Sequence, residues 1–129
     1  MSAPRILVVD DNLATRALTT FVLDAAGLEV ASAVDADSAT AQLVGFAPDL
    51  ILMDIQLPSL DGLQLARRIK ADPATRHIVI IAFTAFAMKG DEAGMLSAGC
   101  DGYIAKPFDV VSFPDKVRSY LPTAALSGC

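Results

Sequence analysis

The sequence predicts an α/β fold built on a doubly wound, five-stranded parallel sheet with five helices. Three observations carry that reading. Five short, almost purely apolar strand-like runs lack the regular polar alternation of half-solvated strands, so a sheet covered on both faces is expected. Strand-like and helix-like segments alternate strictly along the chain. The length of 129 residues, 53% hydrophobic and 19% charged, makes one domain with a core that needs no metal or disulfide to hold it.

Taken in order, Ile6-Leu7-Val8-Val9 is the first strand and is closed by Asp10-Asp11. Asn12 then caps a helix whose apolar positions Leu13, Ala17 and Phe21, or Leu18 and Val22, recur at spacing four until Gly27 ends it. Glu29 to Ala33 is the second strand, and Asp35 or Asp37 opens a helix carrying Ala39, Leu43 and Val44 before the break at Gly45 to Pro48. Leu50-Ile51-Leu52-Met53 is a wholly apolar strand ending in Asp54. After the turn Pro58 to Gly62, a helix with Leu63, Ala66, Ile69 and Lys70 runs until Asp72-Pro73 stops it.

Ile78 to Phe83 is the fourth strand and ends at Thr84. The following helix, from about Met88 to Ala98, contains Gly90 and Gly94, each costing about 1 kcal/mol relative to Ala, and should be the weakest. Gly102 to Ala105 is the fifth strand, closed by Lys106-Pro107. The last helix runs to about Tyr120, with Ser112 as its cap and Pro114 in its first turn, where a missing N–H costs nothing. The domain is expected to span residues 4–121, leaving 122–129 as a short tail.

Composition narrows the function. Ten Lys and Arg against fifteen Asp and Glu give a net charge of −5, and no basic cluster offers a phosphate backbone a surface, so direct nucleic-acid binding is not expected. The apolar runs fall far short of the roughly 20 residues that cross a bilayer, and the N-terminus lacks the h-region of a signal peptide, so no membrane insertion is expected and the cytoplasm is the expected location. Cys100 and Cys129 form no disulfide framework and read as free thiols, Cys100 as a small buried hydrophobe. His77, the only histidine, reads as a solvated loop residue, and Arg67, Arg68 and Lys70 as a solvated basic face.

In an open parallel sheet, ligands bind at the carboxyl ends of the strands where the strand order reverses. There the sequence places Asp10-Asp11, Asp54, Thr84 and Lys106. Three carboxylates in one crevice repel one another unless a cation is present. Mg²⁺ answers that need, since it binds through one or two carboxylates and keeps waters and a substrate phosphate. Three aspartates, one Mg²⁺ and Lys106 sum to zero charge. Any one of these aspartates could be only a helix cap; the set is harder to explain that way.

Val8-Val9-Asp10-Asp11, Leu52-Met53-Asp54-Ile55-Gln56-Leu57-Pro58, Thr84-Ala85 and Tyr103-Ile104-Ala105-Lys106-Pro107-Phe108 together resemble the receiver domain of two-component response regulators. Phe83 to Glu92 and Gly99-Cys100 are similar to DivK-type single-domain regulators, although such stretches also occur in receivers of hybrid histidine kinases. The resemblance implies the CheY-like sheet order 2-1-3-4-5. It implies that Asp54 accepts a phosphoryl group from a phosphohistidine on a histidine kinase or histidine phosphotransfer protein. Mg²⁺ would be held by Asp11, Asp54 and the backbone carbonyl of Gln56, with Asp10 acting through water. Lys106 would pair with the phosphoryl group, Thr84 would hydrogen-bond it, and Tyr103 would turn inward as Thr84 moves.

Such a domain is a signalling switch and not an enzyme acting on other substrates. A downstream effector protein would then read the face built by the 88–98 helix, the fifth strand and the last helix. Met1 lies only four residues before the first strand, which favours a stand-alone receiver over one cut from a hybrid histidine kinase. An aspartyl-phosphate hydrolase shares the strand-end Asp and the Lys, but its usual Asp-x-Asp pattern is absent from Asp10-Asp11-Asn12, and no Gly-rich loop follows the first strand as a dinucleotide or flavin carrier would require. Gln56 and Phe86 flank the approach of a hydrolytic water, and a bulky Phe86 predicts slow loss of the phosphoryl group.

Overall fold

The computed structural model describes residues 4–54, 62–84, 100–105 and 111–121. The described elements are β1 (Arg5–Val9), α1 (Leu13–Ala25), β2 (Glu29–Ala33), α2 (Ala36–Gly45), β3 (Leu50–Met53), α3 (Gly62–Ala71), β4 (Val79–Thr84), β5 (Gly102–Ala105) and α4 (Phe113–Tyr120). The helix expected at 88–98 and the tail lie outside the described residues. All strands pair in parallel, in the order β2-β1-β3-β4-β5, as expected.

Because side chains alternate across a strand, each apolar run feeds two cores. Leu7, Val9, Ile51, Met53, Ile80 and Ala82 pack with Ala39 of α2 and Leu65, Ala66 and Ile69 of α3. Ile6, Val8, Leu50, Leu52, Ile81 and Phe83 pack on the other side with Leu23 of α1 and Phe113 and Val117 of α4, where the Phe83 and Phe113 rings stack at 5.6 Å. Each of these larger side chains contributes about 1.5–3 kcal/mol of burial. The sheet is therefore covered on both faces, which is why β1, β3 and β4 carry no polar alternation, whereas the edge strand β2 exposes Glu29 and Ser32.

Local chemistry sets the helix ends. Asn12 Oδ1 accepts the Thr15 N–H at 3.0 Å and so caps α1. Gly27 ends it at φ 88°, with the Leu28 N–H reaching back to the Leu23 carbonyl at 3.2 Å. At α2 the choice between Asp35 and Asp37 falls to Asp35, whose carboxylate accepts the Ser38 N–H at 2.8 Å while the Ser38 hydroxyl oxygen accepts the Asp35 N–H at 3.2 Å. Ser112 stands at the α4 cap position, but its side chain makes no capping hydrogen bond, since its backbone is already helical. Pro114 occupies the first turn as expected.

Two expectations are corrected by packing. The spacing Leu13, Ala17 and Phe21 signals a helix yet faces solvent, with Leu13 70% and Phe21 71% exposed; of the alternative pair Leu18 is also exposed but Val22 packs partly buried against the core, and Thr19 and Leu23 are the buried residues of α1. Lys70 does not join Arg67 and Arg68 on a solvated face. Its ammonium donates to the carbonyls of Arg76 and Ile78 and pairs with Asp101 at 3.0 Å, and the same Asp101 carboxylate oxygen accepts the Ile80 N–H. This clamp fixes the start of β5 beside β4, at the end of the sheet away from the strand-end aspartates. Among the described residues, no helix is long and apolar enough to cross a membrane.

Candidate functional site

The strand register brings the acidic residues together. Val9 of β1 pairs with Met53 of β3, so Asp10 and Asp54, the next residue on each strand, leave the sheet side by side. The Asp54 N–H continues the ladder to the Val9 carbonyl at 2.9 Å, and the Asp10 N–H bonds the Ala33 carbonyl of β2 at 3.1 Å. β2 is an edge strand and supplies a carbonyl here.

One carboxylate oxygen from each of Asp10, Asp11 and Asp54 lies within 4.8 Å of the others. Asp10 is wholly buried, Asp54 is half-buried and Asp11 is exposed, so the cluster opens to solvent on one side. Oxygens around an octahedral Mg²⁺ with bonds near 2.1 Å are separated by roughly 3–4.2 Å. Carboxylate oxygens within 4.8 Å of one another lie close enough to share one such cation. The donor set, all oxygen and all anionic, is that of a hard divalent cation.

The turn that carries this cluster is braced at several points. Asp10 Oδ1 accepts the Asn12 N–H at 2.9 Å, and Asn12 in turn caps α1. Arg16, on the first turns of α1, bonds the turn twice: its N–H donates to the Asn12 carbonyl and its Nη1 to the Asp10 carbonyl, each at 2.9 Å. No motif marks Arg16 in the sequence; only its spacing does. Its signal was a cation six residues after a strand-end aspartate and four after the helix cap, a spacing that returns the side chain to the strand end.

Of the other expected site residues, Thr84 ends β4, where it pairs with Ala105, and Tyr103 lies two register steps earlier opposite Ala82. The Tyr103 side chain stands at the surface, 36% exposed, and is not turned inward. Gln56, Phe86 and Lys106 lie outside the described residues. Cys100 is buried and free, and desolvation, with the Asp101 charge adding to it, pushes its thiol up to about 11. His77 is exposed in the turn after α3, as expected of a loop residue.

Comparison with known proteins follows the same lines. The profile of the response regulator receiver domain matches residues 6–118. The polar-differentiation response regulator DivK of Brucella anthropi is 41% identical over 119 residues, covering 92% of this chain and 97% of DivK. Among solved structures, the receiver domain of sensor histidine kinase PA1611 from Pseudomonas aeruginosa, with a magnesium ion coordinated in its active-site cleft, is 34% identical at a TM-score of 0.82, covering 92% of this chain and 98% of that one. The chemotaxis protein CheY4 of Vibrio cholerae superposes at a TM-score of 0.87 with 22% identity, covering 93% of this chain and all of that one, which is a likeness of fold.

Proposed function

Because this chain belongs to the response regulator receiver family and so serves two-component signalling, we propose that Asp54 is its phosphoacceptor, charged from a phosphohistidine on a histidine kinase or histidine phosphotransfer protein. The observation that carries the reading is the convergence of Asp10, Asp11 and Asp54 from two adjacent strand ends within 4.8 Å. In the transfer, an Asp54 carboxylate oxygen attacks phosphorus; the O–P bond forms as the P–N bond breaks, and the electron pair returns to the imidazole. Phosphoryl transfer asks the protein chiefly for positioning and charge stabilisation.

Asp11, Asp54 and the Gln56 carbonyl hold Mg²⁺ in this proposal, with Asp10 bonding through water. Bound there, the cation neutralises charge on the transferring phosphoryl oxygens. Asp10 is buried, and its Oδ1 is held in place by the Asn12 N–H. Lys106 pairs with the phosphoryl group, Thr84 hydrogen-bonds it, and Tyr103 moves from its surface position toward Thr84. Phe86 obstructs the approach of water to the acyl phosphate, a path that Gln56 also flanks. The signal leaves through β5, α4 and the 88–98 segment to an effector protein, with the chain acting in the cytoplasm as a switch and 4–121 as its functional unit.

The test is to incubate the protein with Mg²⁺ and acetyl phosphate and map the adduct by mass spectrometry. Asp54→Asn should abolish it; equally efficient phosphorylation elsewhere in that variant rejects the assignment. Turnover of small phosphate esters would favour the hydrolase instead. The PA1611 receiver shows that this fold also serves within a sensor histidine kinase, and nothing in the site favours that setting over a stand-alone regulator.

A further inference from the structure

Asp11 is the exposed member of the acidic cluster, and its side chain forms no hydrogen bond or ion pair with any described residue. The backbone therefore sets the Cα position and Cβ direction from which its carboxylate reaches the cluster. The peptide unit joining Asp10 to Asp11 is planar and stiff, so the direction of the Asp10 carbonyl fixes the direction in which the chain leaves for the Asp11 Cα. That carbonyl accepts from Arg16 Nη1 at 2.9 Å in a partly buried setting. A hydrogen bond from a guanidinium is stronger than one between neutral groups. The Arg16 N–H meanwhile bonds the Asn12 carbonyl, so one residue grips the turn from both its main chain and its side chain.

We propose that Arg16 is a positioning residue for metal binding: by locking the Asp10–Asp11 peptide it holds the exposed Asp11 carboxylate against Asp54. The proposal rests on the Mg²⁺ reading above and adds a residue that does not touch the ion. Its guanidinium forms no ion pair with a described carboxylate, which leaves the acidic cluster to the cation. A rival role is electrostatic, in which the Arg16 charge merely offsets carboxylate repulsion. The two roles predict opposite signs. Without Arg16, a purely electrostatic site binds Mg²⁺ more tightly, whereas a site that needs positioning binds it more weakly.

The experiment measures Mg²⁺ affinity by isothermal titration calorimetry. Arg16→Met should weaken binding about 10-fold, within the range for loss of an outer-shell partner. Arg16→Lys, which keeps a donor for the carbonyl, should stay within about 3-fold. Arg118→Met is the structural control, since Arg118 donates to the Ala26 carbonyl at the far end of α1, and it should leave Mg²⁺ affinity unchanged. In metal-free buffer, amide exchange at Asn12 should quicken in Arg16→Met and not in Arg16→Lys. Should Arg16→Met fail to fold, Arg16→Gln, whose amide stops short of the carbonyl, replaces it. Wild-type protein that binds no Mg²⁺ overturns the metal reading and this inference with it. Wild-type binding accompanied by unchanged or tighter binding in Arg16→Met, or by an equal loss in Arg118→Met, overturns the inference alone.

Discussion

Removing Asp11 should make the metal-free protein more stable and the Mg²⁺-bound protein less so. An Asp11 oxygen lies within 4.8 Å of oxygens from both Asp10 and Asp54, and at that separation two unit charges repel by about 0.9 kcal/mol in a water-like dielectric. Asp11 is exposed, so that dielectric is the appropriate one. Two such repulsions sum to nearly 2 kcal/mol; Lys106, if it reaches the site as proposed, offsets part of them and brings the expected gain for Asp11→Ala down to about 1 kcal/mol. With an unfolding entropy of roughly 2.1 cal/mol/K per residue, 129 residues convert 1 kcal/mol into a rise of about 4 °C in melting temperature. Thermal unfolding by circular dichroism, in chelator and low salt, measures it. The gap should shrink as salt rises toward 1 M, where the screening length falls to about 3 Å. Mg²⁺ at 100 times its Kd should stabilise the wild type by about 2.7 kcal/mol and leave Asp11→Ala behind, reversing the order. If Asp11→Ala melts below the wild type in chelator, the carboxylates are not in repulsion and the argument for a cation fails.

Three further outcomes test the fold. Ala47 is a non-glycine residue at φ 52°, so Ala47→Gly should relieve left-handed strain of about 1 kcal/mol, net of the greater freedom glycine has when unfolded; a lower denaturation midpoint would refute this. A Cβ at Gly102 would meet Tyr120 Cε1 at 2.6 Å, so Gly102→Ala should cost about 1–3 kcal/mol by urea denaturation and Gly102→Ala with Tyr120→Leu should recover most of it, additive losses being the contrary result. The Cys100 thiol, held neutral by burial, favours the folded state fully below its ordinary value of 9.0, and that contribution is lost as pH rises toward about 11. Cys100→Ala should therefore flatten the fall in stability over that window, and the native thiol should resist alkylation at pH 8; rapid labelling of folded protein would refute its burial.

Much of this protein is written in short stretches of chain. The apolar runs of β1, β3 and β4 announce burial on both faces because each needs only its own residues to do so, and Asn12 and Gly27 fix the ends of α1 by bonds within a few residues. The acidic members of the site were legible for the same reason: a polar residue directly after a buried strand has nowhere to go but the strand end. What no local pattern contained is which of two apolar stripes of α1 meets the sheet. The stripe Leu13, Ala17 and Phe21 is exposed, while Val22 and Leu23 pack on the core, because the crossover geometry between β1 and β2 sets the rotation of the helix. Nor could spacing alone turn Lys70 inward, since its partners Ile78 and Asp101 come from elements brought beside α3 only when β4 and β5 pair. Arg16 belongs to both classes. Its reach back to Asp10 is local, but the value of holding that carbonyl arises only when β3 delivers Asp54 to the same point, a juxtaposition of residues 44 positions apart that tertiary structure alone supplies.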